Sequence, residues 1–310
     1  MIEAVSLTRL YGAHAAVEGV TFSVGQGEVL GLLGPNGAGK TTILKILSTQ
    51  IVPTSGQARV MGADVLKEPD RVRALIGYLP EVLPLYDQME VEEYLSFVAE
   101  ARGLRGAQAK KRMDFVREAL SLEYVWHHPI AYLSKGYRQR VGLAQAIVHD
   151  PPVLILDEPT TGLDPLQVLE IRDLIRQMAR EKAVIFSSHI LSEVEAVSDR
   201  IAILNQGHLV AQGSLRQLAR AAGWRRIFRL RAKERLREAL EALPGLEPVS
   251  ETQDQKGLWT YRALADDKIR IEEVLETLKD RGLNLLEFCE EHPGLEEIFI
   301  ALVRESHGAG

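Results

Sequence analysis

The chain has a single cysteine, Cys289, among 310 residues. A lone thiol excludes any disulfide within the chain and fits a reducing compartment. Long apolar runs are also missing. Runs such as 153–156 fall far short of the ~18 residues that a membrane span needs. The opening Met1-Ile2-Glu3-Ala4 has no basic stretch followed by an apolar core, so no signal peptide is expected. With 25 Gly and 13 Pro, collagen-like and low-complexity readings fail. Neither sign of charge dominates: Lys plus Arg is 37, Asp plus Glu is 43, and the formal net charge is −6. That balance argues against a surface given over to nucleic acid or anionic lipid. What is present is an ordinary globular composition, 46% hydrophobic and 26% charged, at a length suited to two domains. A cytosolic protein is expected, one that meets a membrane only through a partner or its own surface.

Short continuous apolar runs at 29–33, 153–156 and 184–186 suit strands buried on both faces of a parallel sheet. Segments 40–48, 134–149 and 165–181 read as helices between them, which gives an α/β fold with crossover connections. The stretch 90–148 breaks the alternation and reads as an inserted helical subdomain, about 85–148 with its flanks. The character changes near 214–223, so residues 1–218 are expected to form one domain and 224–310 a second. The second reads as strand 225–231, helix 234–243, strands 246–251 and 258–264, helix 267–280, strand 283–289 and helix 294–303. That order is a small α+β unit of split βαβ, ferredoxin-like type with one extra helix.

The run Gly34-Pro35-Asn36-Gly37-Ala38-Gly39-Lys40-Thr41 fits the phosphate-loop pattern at all eight positions. An apolar strand precedes it and a helix follows. Glycines let successive backbone N–H groups curl around phosphates, and the helix N-terminus adds partial positive charge. Lys40 is expected to reach the β- and γ-phosphates, and Thr41 to offer its hydroxyl to Mg²⁺. Downstream, the apolar run 153–156 ends in Asp157-Glu158-Pro159. Ligands of parallel sheets sit at the carboxyl ends of strands, so Asp157 is placed to hold Mg²⁺ through water and Glu158 to take a proton from an attacking water.

Further motifs stand in order around these two: Leu133-Ser134-Lys135-Gly136-Tyr137-Arg138-Gln139-Arg140, then Gly162-Leu163-Asp164-Pro165, then Ser188-His189. Together they resemble the ATP-binding subunit of an ATP-binding-cassette (ABC) transporter over residues 1–218. The resemblance implies a P-loop NTPase cassette, a mostly parallel sheet with an inserted helical subdomain. It is strongest to type-2 exporter ATPases, the branch with multidrug, gliding-motility and copper-assembly systems. The closing Pro293-Gly294-Leu295-Glu296-Glu297-Ile298-Phe299 is similar to their C-terminal signature. The same resemblance implies the division of labour between Asp157 and Glu158, and further roles. Tyr11 would stack on adenine, and Thr42 would touch the α-phosphate. Ser134 and Gly136 would bind the γ-phosphate of ATP held by a second copy of the chain. Asp164 would link the two sites, and His189 would bind the γ-phosphate and orient the water. It implies Mg²⁺-dependent ATP hydrolysis by a homodimer on a separately encoded polytopic permease, at the inner face of the cell membrane. No nucleic-acid partner is implied.

Two positions depart from the pattern. Glu81, in Gly77-Tyr78-Leu79-Pro80-Glu81, stands where the family usually has glutamine; it can still ligate Mg²⁺ but adds negative charge near the phosphates. Lys135 adds a phosphate contact or simply faces solvent. Elsewhere, His127-His128 reads as a surface pair, since adjacent residues point apart. Cys289 reads as a buried, inert thiol. The segment 224–238 carries seven basic residues against Glu234 and Glu238. It reads as a solvated face, with a nucleic-acid or headgroup patch as the alternative. Residues 82–98 carry apolar side chains that either fill the helical subdomain or, as the resemblance implies, line a groove for a permease helix. The second domain is expected to serve dimerisation or regulation.

Overall fold

The structure, a computed structural model, describes residues 1–308 apart from 267, 268 and 292, with side chains described to 304. It divides into two compact units, Met1–Ser214 and Leu215–Gly310. In the first, strands β1 (Ile2–Tyr11) and β2 (His14–Val24) form a hairpin that leads to β3 (Val29–Leu33). Helix α1 (Lys40–Leu47), strands β4 (Ser55–Val60) and β5 (Ala63–Asp64), helix α2 (Pro69–Leu75) and strand β6 (Ile76–Leu79) follow. Next come α3 (Val91–Ala101), α4 (Gly106–Ala119) and α5 (Lys135–Ile147). The unit closes with β7 (Val153–Asp157), α6 (Pro165–Ala179), β8 (Ala183–Ser188), α7 (Leu191–Val197), β9 (Arg200–Asn205) and β10 (His208–Gly213).

Two sheets share this unit. One is antiparallel, in the order β2-β1-β4-β5. The other runs β10-β9-β3-β8-β7-β6, parallel throughout except for the β9–β10 pair. Every residue of β3, β7 and β8 is buried, as continuous apolar runs in a parallel sheet require. Leu32, Ile43, Leu44, Val60, Ile155 and Ile185 belong to one core, which packs α1 between the two sheets. The register Leu33↔Ser188 and Asp157↔Ser187 brings the carboxyl ends of β3, β7 and β8 to one edge. The phosphate loop leaves β3 at that same edge.

The second unit contains α8 (Leu215–Ala221), β11 (Arg226–Ala232), α9 (Arg237–Glu241), β12 (Leu246–Gln253), β13 (Trp259–Ala265), α10 (Ile271–Asp280), β14 (Leu285–Glu291) and α11 (Leu295–Gly308). Its sheet is antiparallel in the order β12-β13-β11-β14, the split βαβ arrangement. Phe228, Leu230, Tyr261, Leu240 and Val274 share its core. Helix α9 is shorter than the expected 234–243. The backbone N–H of Leu236 donates to Tyr261 Oη at 3.0 Å, and Arg235 pairs with Glu251 at 2.7 Å, so the approach to the helix is held to the sheet. The start of the expected helix 267–280 lies outside the described residues.

Candidate functional site

The phosphate loop is shaped by backbone that only glycine suits. Gly39 caps α1 at φ 102°, and a Cβ there would lie 2.5 Å from the Ala16 carbonyl oxygen. Lys40 is buried, and its Nζ donates to the carbonyls of Gly34 (2.6 Å) and Pro35 (3.2 Å). Burial pulls its pKa down, opposed by the charges of Glu158, Asp157 and Glu81. A cleft of about 360 Å³ is lined by Asn36, Gly37, Ala38, Gly39, Lys40, Thr41 and Thr42 together with His14, Ala16, Glu81 and Glu158. Loop, Glu81 and Glu158, widely separated in sequence, thus face one space.

Asp157 ends β7 and is 1% exposed. Its Oδ1 accepts from Ser187 Oγ at 2.6 Å and from Thr41 Oγ1 at 3.3 Å. Its Oδ2 is buried with no hydrogen-bond partner among the described residues. A buried, unpartnered carboxylate oxygen is costly. Burial accordingly lifts the Asp157 pKa, against the two hydroxyl donors. A hard cation beside Thr41 would satisfy that oxygen, so the donor set of Thr41, Asp157 and Glu81 fits Mg²⁺, which takes oxygen ligands.

Glu158 has a left-handed backbone, φ 52°, which costs a non-glycine residue about 1–2 kcal/mol. The turn breaks the strand's alternation, so consecutive carboxylates both act on Lys40. Glu158 N–H donates to Ser187 O (3.2 Å) and to Ser187 Oγ (3.1 Å). Its Oε2 lies 2.8 Å from His189 Nδ1. Burial raises the Glu158 pKa, while the His189 hydrogen bond and the charges of His189 and Lys40 oppose the rise. Glu193 on α7, buried and absent from any sequence motif, accepts from Thr160 Oγ1 (2.6 Å) and Ser188 Oγ (2.9 Å). It ties the segment after Glu158 to the strand end before His189.

The remaining expected residues stand apart from this cleft. Tyr11 is half-exposed at the end of β1 with the Arg9 guanidinium 4.7 Å over its ring. Its cross-strand partner His14, which sequence reasoning missed, lines the cleft instead. Ser134 caps α5 by accepting from Tyr137 N–H at 3.3 Å. Gly136 is pressed on α6: a Cβ there would lie 2.8 Å from Gln167 Oε1. Asp164 caps α6 in a reciprocal box with Gln167, its Oδ1 accepting Gln167 N–H at 2.9 Å. The stem of Lys135 lies across Gly162, within 2.5 Å of where a Cβ would stand.

Away from the cleft, residues 82–98 divide. Val91 and Leu95 are fully buried, while Val82, Tyr86 and Phe97 are exposed. The ring of Tyr86 packs 5.8 Å from that of Phe97. His127 lies 3.1 Å from Glu92, and the His128 ring stacks on Tyr124. Among the described residues no cluster could hold a metal through His, Cys, Asp and Glu alone. In the second unit the basic run is matched by acids from other strands. Arg226 pairs with Glu290, Arg229 with Glu287 and Glu291, Arg231 with Asp254 and Glu287, and Arg235 with Glu251. Cys289 is half-buried rather than buried, because it sits beside Arg229, whose Nε donates to its Sγ at 3.2 Å.

A glycine loop between β3 and α1, facing strand-end carboxylates of a parallel sheet, defines a P-loop nucleotide-binding cassette. The family model of ABC transporters matches residues 17–161. The chain is 34% identical over 309 residues to the uncharacterized ABC transporter ATP-binding protein YxlF of Bacillus subtilis (strain 168), covering 98% of this chain and 99% of that one. It is 32% identical to the linearmycin resistance ATP-binding protein LnrL of the same organism, over 97% and 98% of the two chains. Among solved structures it resembles an ATP-binding subunit of an ABC transporter, with TM-score 0.68, 32% identity and coverage of 72% of this chain and 93% of that one. The chain belongs to the ATP-binding subunits of ABC transporters, and its cassette is an ATPase domain of that family. Among the described residues no helix is long and apolar enough to cross a membrane.

Proposed function

We propose that this chain hydrolyses ATP as a head-to-tail homodimer and thereby drives a separately encoded polytopic permease that exports its cargo. The observation that carries the reading is the meeting of the phosphate loop, Glu81 and Glu158 in one cleft, with the unpartnered Asp157 oxygen beside Thr41 and the Glu158–His189 contact. In it, loop N–H groups from Asn36 to Gly39 and the Lys40 ammonium hold the phosphates, and Thr42 touches the α-phosphate. Tyr11 stacks on adenine. Thr41, Asp157 and Glu81 hold Mg²⁺, which when bound supplies charge to the phosphate oxygens. Glu158 accepts the proton of the attacking water. His189 binds the γ-phosphate and holds that carboxylate in place. Ser134 and Gly136 cover the γ-phosphate on the second copy, and Asp164 joins the two sites.

The chain reaches the inner face of the membrane through the permease, by way of exposed Val82, Tyr86 and Phe97. Relatives named for multidrug transport and for linearmycin resistance favour export. The second unit, Leu215–Gly310, serves dimerisation or regulation; its paired arginines favour a solvated face over a nucleic-acid patch. The reading is tested with Glu158→Gln as bait, in ATP and Mg²⁺, on detergent-solubilised membranes. Stoichiometric recovery of a polytopic membrane protein is expected. Recovery of ribosomes, nucleic acid or soluble proteins alone would overturn it.

A further inference from the structure

We propose that Gln139 is a positioning residue for hydrolysis: it holds the backbone that aims Glu158, and so ties that carboxylate to the helix offered to a second copy of the chain. The inference rests on the reading above, in which Glu158 takes the water's proton and the start of α5 covers the other copy's nucleotide.

Gln139 is 5% exposed, a neutral polar side chain among the buried residues of α5. Its Nε2 donates to two consecutive carbonyl oxygens, Glu158 O at 3.2 Å and Pro159 O at 3.1 Å. They are the carbonyl of the left-handed residue itself and that of the residue after it. Strained backbone persists only where its surroundings over-determine it. At Glu158 the surroundings are two elements. Strand β8 takes the N–H through Ser187 O and Oγ. On the far side, Thr161 N–H donates to Glu158 O at 3.2 Å, and Gln139 supplies the donor from α5. Pro159 has no N–H to anchor it, so its carbonyl is its backbone handle.

The same helix begins at Ser134, its cap, and presses Gly136 against Gln167. Gln139 lies on the Gly136 side of α5, three residues along. A shift at the start of α5 therefore moves the amide that grips residues 158 and 159. Engagement of a second copy's phosphate at Ser134 and Gly136 would fix this chain's own Glu158, making hydrolysis depend on closure of the dimer as well as on bound ATP.

The test uses the full chain carrying Gln139→Met, which keeps the volume and removes both donors. Arg140→Met serves as control: Arg140 is equally buried on the same helix but bonds Leu120 O (3.1 Å) and Glu170 (2.8 Å). Gln139→Met is expected to lower kcat about 10- to 100-fold with KM for Mg-ATP within about 2-fold, since small misplacements of a reacting group cost this much. Arg140→Met is expected to lower the melting temperature while kcat stays within about 3-fold. Gln139→Asn, an amide one methylene shorter, should fall between Met and wild type. Unchanged kcat in Gln139→Met, or kcat falling in step with melting temperature in both Met variants, overturns the proposal. ATP-driven dimerisation, read by gel filtration in a Glu158→Gln background, separates the two levels. A dimer that forms with Gln139→Met while kcat is unchanged sinks this inference alone. No dimer in Glu158→Gln itself sinks the reading beneath it.

Discussion

His189 Nδ1 lies 2.8 Å from Glu158 Oε2, joining the ends of β7 and β8 across 31 residues of sequence. The contact stabilises the charged carboxylate, which burial alone would drive toward its protonated form. The pair thus opposes protonation of a partly buried carboxylate, which favours the proton-accepting role proposed for Glu158.

Removing the imidazole has a signed consequence. Burial raises the Glu158 pKa, neighbouring Asp157 adds to the rise, and His189 and Lys40 oppose it. His189→Ala deletes the largest opposing contribution, so the pKa rises further. Because the base works deprotonated, the acid limb of the kcat/KM profile moves to higher pH. A pH series on wild type and variant checks this; a limb that stays put or moves down contradicts it.

Asp157 is held above its ordinary pKa by burial, with one oxygen unpartnered. The folded state therefore keeps its proton more tightly than the unfolded chain does. The stability this contributes is present at pH below the unfolded value of 3.8 and is lost as pH rises through the folded value. Asp157→Asn, which keeps an acceptor for Thr41 and Ser187, should melt higher than wild type at pH 7 without nucleotide. The gap should narrow on acidification, and Mg²⁺-dependent ATP turnover should be lost. Thermal scans across pH measure it.

Gly39→Ala should damage the loop without touching the rest of the core. It places a side chain at φ 102°, with its Cβ 2.5 Å from Ala16 O. The left-handed backbone alone costs about 1–2 kcal/mol, and the clash adds to it. We expect lower thermal stability and at least ~10-fold weaker ATP binding, each 1.4 kcal/mol being tenfold. Titration with a fluorescent ATP analogue reads the loss.

The buried strands β3, β7 and β8 were legible because apolar runs in a parallel sheet need no alternation. The loop was legible because eight adjacent residues build it. Residues that work through distant partners were harder to find. Nothing near Gln139 or Glu193 names the carbonyls and hydroxyls they grip; those come from the turn after β7 and the end of β8. A trace existed in periodicity, since Gln139 follows Gly136 by three and precedes Leu143 by four, a polar residue on the inward face of α5. His14 was hidden by Tyr11, its cross-strand partner. The arginines of 226–235 read as a charged run because their acids lie 16 to 64 residues away.

One comparison decides the assignment of the base: ATP hydrolysis and ATP binding by wild type and Glu158→Gln, each with Mg²⁺. The geometry at Glu158 predicts turnover lower by about 10²–10⁴ in the variant, the loss typical of a general base, with ATP affinity retained. Turnover equal to wild type in Glu158→Gln would contradict it.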